Sequence, residues 1–107
     1  MKRRIRRHPD VANDILDLAT YIARDKLSVA LRFMDSTETT LRWLLRRPGV
    51  GSRRDFDDPQ LANVRSWAVK GFGNYLILYE IEKTGIYVLA VSHGARDLPR
   101  MLRDRAR

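Results

Sequence analysis

The side chains able to do chemistry in this sequence are few and unevenly spread. Its two histidines, His8 and His93, stand far apart. His93 closes an apolar alternation, in phase with Tyr87, Leu89 and Val91, and is followed by Gly94-Ala95-Arg96-Asp97. A strand-end histidine commonly serves as a hydrogen-bonding structural residue. In a site it is the one side chain here with an ordinary pKa near neutrality, hence the natural general acid or base. Cations supply the remaining chemistry. Of 21 Lys and Arg, 17 are Arg, whose planar, permanently charged fork suits carboxylate and phosphate. Five cations fall in residues 2–7, five between Arg42 and Arg54, and five between Arg96 and Arg107 beside two Asp. Arg53 and Arg54 sit in a loop, Arg65 early in a strand in phase with Trp67 and Val69, and Arg96 just past the last strand. Loops entering and leaving neighbouring antiparallel strands can gather these four on one surface, fit for a phosphate backbone or an acidic partner. Taken singly, Arg65 also reads as an edge-strand cation that discourages aggregation, and Arg96 is expected to pair with Asp97. The net charge of +8 calls for an anionic partner without choosing between nucleic acid and acidic protein.

Composition removes several classes. With no Cys there is no disulfide framework, thiol nucleophile or thiolate metal site. Two distant His do not make a zinc centre, and neither metal nor cofactor is expected. The start MKRRIRR has the charge of a signal-peptide n-region, but His8, Pro9, Asp10, Asn13 and Asp14 follow where an apolar stretch is needed. No run approaches the ~18 apolar residues of a membrane span. A cytosolic protein is therefore expected, away from membranes. P-loop, GxSxG, GXXG, RNP and zinc-finger patterns are missing. At 107 residues, 44% hydrophobic and 32% charged, the chain reads as one globular domain, 1–107, with a modest core.

The periodicities indicate how these side chains are positioned. Ile5 among Arg3–Arg7 reads as an edge strand. Pro9 suits the first turn of a helix capped by His8 or Asp10. Val11, Ile15, Leu18 and Ile22 then recur at steps of four, three and four, ending near Asp25–Leu27. A second helix is expected from an N-cap at Ser28. Its core face is Ala30, Phe33, Thr37, Leu41 and Leu44, and Pro48-Gly49 stops it after Arg42, Arg46 and Arg47. The short Lys26-Leu27 connection makes the pair an antiparallel hairpin. Residues 48–62 read as a loop, with Phe56 as its anchor or a partner contact. Val64–Lys70, Tyr75–Ile81 and Ile86–Val91 read as strands joined by turns at 71–74 and Glu82–Gly85, an antiparallel meander. Trp43 and Trp67 are expected to pack between helix and sheet. Ala95–Arg105 fits either a short basic helix or a tail. The resulting order, β-α-α-β-β-β, is an α+β fold with a helical hairpin on one face of a small, mostly antiparallel sheet.

Read in sequence, certain segments resemble the ParE/RelE superfamily of bacterial type II toxins. They are Pro9 and Ala12, the run Ile15 to Ile22, Ala30 and Phe33, Arg47-Pro48-Gly49-Val50-Gly51, Val64-Arg65, Tyr75 to Tyr79, and Ile86 to Asp97. The likeness spans roughly residues 4–98, and the His93–Asp97 ending is most similar to the ParE branch. It implies a toxin neutralised by a cognate antitoxin. ParD-type antitoxins are ribbon-helix-helix proteins with an acidic C-terminal segment, so operator DNA would be met through the antitoxin alone. The grooves flanking the hairpin become the expected docking surface, with Ile15, Leu18, Ile22, Phe33 and Leu41 as contacts. ParE-like toxins poison DNA gyrase and block replication. RelE-like toxins cut mRNA on the ribosome, a role that would make Arg65 and His93 catalytic. Here only Arg53-Arg54 stand where RelE-like nucleases carry a Lys-rich strand, and no Tyr follows Tyr87, which favours gyrase. A non-toxic, antitoxin-binding co-repressor is the third implied outcome.

Overall fold

The computed structural model describes residues 2–106. Strand β1 (Arg4–Arg7) leads into helices α1 (Val11–Ala23) and α2 (Leu27–Arg46). A 3-10 turn (Pro48–Val50), strand β2 (Ser52–Arg53) and a second 3-10 turn (Pro59–Leu61) follow. The chain then runs through β3 (Arg65–Val69), β4 (Phe72–Glu82), β5 (Gly85–His93) and helix α3 (Leu98–Arg105). The five strands form one sheet in the order β1-β5-β4-β3-β2. β1 lies parallel to β5, Arg4 opposite Gly85 and Arg7 opposite Val88, and the other pairs are antiparallel. The close approach of β1 dictates Gly85: at φ +150° its Cα faces the Arg4 carbonyl, where a Cβ has no room.

The fold is α+β, as expected, but helical structure covers both faces of the sheet. On one face Val11, Ile15 and Ala19 from α1 and Phe33, Leu41 and Leu44 from α2 bury against Ile77, Tyr79, Ile86, Val88 and Val91. Phe33 meets Phe72 and Tyr75 edge-on at 5.3 and 5.2 Å. On the other face Leu61, Val64, Leu78, Leu89 and Ala90 pack beneath Leu98 and Leu102. This second core resolves the C-terminal alternative in favour of a helix. Asp97 caps it, accepting from the Arg100 N–H, and Pro99 occupies the first turn.

Other boundaries differ from expectation for local reasons. Lys26 is the extended cap of α2, and Ser28 lies inside its first turn. His8 contributes to the start of α1 through its ring: Nδ1 accepts from the Asp10 N–H, while Asp10 itself makes no side-chain cap bond. The β3–β4 turn is Lys70-Gly71, tight enough to need Gly71 at φ +81°, so Phe72-Gly73-Asn74 belong to β4. Lys83-Thr84 alone connect β4 and β5. The β4–β5 register slips once, Tyr79 facing Val88 but Leu78 facing Ala90, which makes Leu89 a bulge residue. Tyr87 and Leu89 consequently face α3, whereas Val91 faces the hairpin. The expected common phase of His93 with Tyr87 and Leu89 is broken there.

Candidate functional site

The C-terminal end of α2 delivers the chain into a turn that two strand side chains hold. Tyr79, fully buried on β4, donates its hydroxyl to the Pro48 carbonyl at 2.6 Å and accepts from the Gly51 N–H at 3.0 Å. Burial pushes the phenol pKa up, against weaker opposing pulls from the Gly51 N–H and Arg65. It remains a protonated donor at neutral pH. Gly51 is required because a Cβ would enter the Tyr79 ring. Arg65, across the register from Tyr79, donates Nη1 to the carbonyls of Gly49 (3.2 Å) and Gly51 (2.7 Å). These acceptors are neutral, so the Arg65 charge stays uncompensated while one of its nitrogens is held.

The four candidate cations do not gather into one cluster. Arg53 is the register partner of Arg65, which places the two on the same face. Arg54 turns to the opposite face, donating Nε to Ser66 Oγ at 3.1 Å. Arg96 lies beyond the other end of β5, its N–H bonded to the His93 carbonyl. It forms no ion pair with Asp97, whose carboxylate is engaged in capping α3.

His93 is exposed and pairs with Tyr75, the two rings edge-to-face at 5.3 Å. Its Nδ1 accepts from the Ala95 N–H at 3.0 Å, so the neutral ring carries its proton on Nε2. The Arg65 and His93 rungs are four residues apart along β4 (Tyr79 against Tyr75), roughly 13 Å at about 3.3 Å per residue, and two strands apart. The Arg65 guanidinium is held on the Gly49 and Gly51 carbonyls, whereas His93 packs on Tyr75, so the two side chains are engaged at separate places on the sheet. Trp43 and Trp67 stack at 5.4 Å between α2 and β3, and Phe56 anchors its loop on the second core. Among the described residues no cluster of His, Cys, Asp and Glu is suited to a metal, and no helix is long and apolar enough to cross a membrane.

The hairpin residues expected to meet a partner line the core or its margin. Ile15, Phe33 and Leu41 are buried against the sheet, and Leu18 and Ile22 are half-buried at its margin, because a helical stripe strong enough to read is the stripe that makes the core. The apolar side chains the hairpin presents outward are Leu16, Tyr21, Leu27, Leu31 and Met34, from 37% to 64% exposed. Their signal was available: Leu27, Leu31 and Met34 repeat at steps of four and three, one position off the core stripe.

The order of elements and the hairpin-covered sheet are those the resemblance implies. The family described as "ParE toxin of type II toxin-antitoxin system, parDE" matches residues 5–98. The chain belongs to that family and is the toxin of a type II toxin–antitoxin module, with an antitoxin as its partner. No curated protein matches the sequence.

Proposed function

We propose that this chain, one toxin domain acting in the cytosol, arrests growth by poisoning DNA gyrase and is silenced by a ParD-like antitoxin. The observation that carries gyrase over the ribosome is the separation of Arg65 and His93. Metal-free RNA cleavage needs a base at the 2′-hydroxyl and a cation at the same phosphate. Here one candidate is held on glycine carbonyls and the other stands some 13 Å along the sheet. The antitoxin's apolar contacts fall on Leu16, Tyr21, Leu27, Leu31 and Met34, the unpartnered outer face of the hairpin.

The test pairs two reactions. Purified protein is expected to inhibit gyrase supercoiling and trap cleaved DNA while leaving a cell-free translation template intact, and His93→Ala is expected to retain growth arrest on induction without antitoxin. Cut mRNA with normal supercoiling would reassign the protein to the ribosomal nucleases. Normal growth with antitoxin binding intact would make it a co-repressor.

A further inference from the structure

Among the described residues, ion pairs engage both terminal runs of cations in part and the middle run not at all. In the N-terminal run, Arg6 pairs with Glu82 and Arg7 with Glu38. In the C-terminal run, Arg103 lies by Asp58 and Arg105 grips Asp14. The middle run, Arg42, Arg46, Arg47, Arg53 and Arg54, has no carboxylate partner within 4 Å among the described residues, and all five are exposed. Folding adds two more to the same end of the molecule. Arg3 reaches from the start of β1 to donate to the Leu45 carbonyl at 2.9 Å, in the last turn of α2. Arg65 reaches the Gly49 and Gly51 carbonyls just beyond that turn, beside its register partner Arg53.

Neutralising the helix dipole accounts for Arg46 and for Arg47, which also lies over the Trp43 ring at 5.4 Å. It does not account for Arg3, Arg53 and Arg65, delivered from three other elements. The nearest acid on α2, Glu38, already serves Arg7, and Arg42 only shares its field. Arg54, on the far face, is not part of the group. Arg3, Arg42, Arg46, Arg47, Arg53 and Arg65 therefore form an array of fixed charge around the α2 C-terminus.

We propose that this array is a binding surface for the phosphodiester backbone of duplex DNA. An acidic protein segment is the competing occupant, but such segments also need apolar anchors. The exposed apolar side chains of the hairpin lie on α1 and in the N-terminal half of α2, where Met34 is about 12 Å along the axis from Arg42 and about 18 Å from Arg46. Guanidinium groups delivered from several elements match a regularly spaced polyanion, and of the six only Arg46 lines the mostly apolar pocket of Trp43, Trp67 and Val69 beside them. The inference deepens the gyrase reading by naming the surface that meets the target's DNA, and it rests on that reading for its purpose alone.

The experiment measures fluorescence anisotropy of a short labelled duplex across a salt series, without gyrase. Expected is binding that weakens steeply with salt. Arg46→Glu with Arg47→Glu should reduce affinity by at least about tenfold and flatten the log–log salt slope by about two. Arg24→Glu with Arg32→Glu, the same charge change at the other end of α2, should alter affinity less than about threefold. Equal losses in both variants, or none in the first, overturn the proposal. So does a poly-glutamate that competes as well as DNA at matched charge, which would assign the surface to an acidic protein. If the first variant does not fold by circular dichroism, Arg42→Glu with Arg53→Glu carries the same comparison. Loss of gyrase inhibition with DNA binding intact would refute the gyrase reading and leave this one standing.

Discussion

Asp14 on α1 and Arg105 on α3 close the edge of β5 where β1 stops. Two guanidinium nitrogens of Arg105 donate to the two Asp14 oxygens at 2.6 and 2.9 Å. Asp14 Oδ2 also accepts from the Val91 N–H at 3.1 Å, and Arg105 donates to the Leu89 carbonyl at 3.0 Å. The pair thus satisfies backbone groups around the bulge and joins the two helical layers. Its side chains are only 10% and 13% exposed, and Asp14 raises the Arg105 pKa further. Asp14→Ala leaves a largely buried guanidinium with only the more distant Asp10 carboxylate, 3.8 Å away, and should cost about 3 kcal/mol in urea unfolding, the low end for a broken buried pair. Asp14→Leu with Arg105→Met should cost clearly less than Asp14→Ala. Additive losses would mean the two residues act separately.

Tyr79 and Arg65 hold one turn, so their removal should read as loss of stability. Tyr79→Phe orphans the Pro48 carbonyl and the Gly51 N–H and is expected to lower stability by about 1–3 kcal/mol. Arg65→Ala should cost roughly 1–2 kcal/mol by the same mechanism, with Arg65→Lys recovering part. Because Arg65 is also one of the six cations of the proposed DNA-binding array, growth arrest by Arg65→Ala should fall somewhat further than folded protein falls, measured by soluble yield beside toxicity. Toxicity that tracks folded protein alone would remove Arg65 from the array and leave it a turn-holding residue.

Two glutamates give opposite pH signatures. The Arg7 guanidinium, bonded to both Glu38 oxygens at 2.8 and 2.7 Å, holds Glu38 below its ordinary 4.5. A depressed acid stabilises the fold above its unfolded pKa, and that stabilisation is lost as pH falls through the lower folded value. Burial, aided by the Glu82 charge, pushes Glu80 up. Glu80 opposes folding at neutral pH, and the penalty fades as pH falls through its raised pKa. Glu38→Gln should lower stability at pH 7 by less than about 1 kcal/mol for a part-exposed pair, with the loss shrinking as pH falls through the lowered folded pKa. Glu80→Gln should raise it at pH 7, with the gain shrinking on acidification.

The outer hairpin stripe predicts a clean separation of binding from folding. Leu27 and Leu31 are 64% and 55% exposed, so Leu27→Asp with Leu31→Asp should change stability within about 0.5 kcal/mol. The same variant should weaken antitoxin binding at least about tenfold by calorimetry, as expected of apolar interface anchors. Unchanged affinity would place the antitoxin elsewhere.

How far the sequence speaks depends on what marks each element. The hairpin and the three long strands were legible because Val11, Ile15, Phe33 and Leu41, or Tyr75 through Val91, repeat with one period. β2 was not: Ser52-Arg53 has no pattern of its own and exists by pairing with Arg65 and Ser66. The bulge was hidden because Val88, Leu89, Ala90 and Val91 are all apolar, so no polar residue marks where the facing inverts. Leu98 and Leu102 stand four apart behind a capping Asp97, yet the surrounding arginines masked their stripe. Residue type identified the cations as candidates. That Arg65 is held on glycine carbonyls, and that Arg3 joins residues more than 40 positions away, comes from tertiary structure.

The parallel pairing of β1 with β5 sets a schedule for synthesis. Arg4 waits for Gly85, so the sheet that covers the hairpin's inner face cannot close until nearly the whole chain has been made. At about 5–20 residues per second, that interval is roughly 4–16 seconds, long on the scale of helix formation. Until β3 and β4 emerge Phe33 has no strand to cover it, and until β5 emerges Ile86, Val88 and Val91 are missing from the core. The nascent chain is then a helical hairpin with an unfinished sheet, and the last strand to leave the ribosome is the one that joins the first.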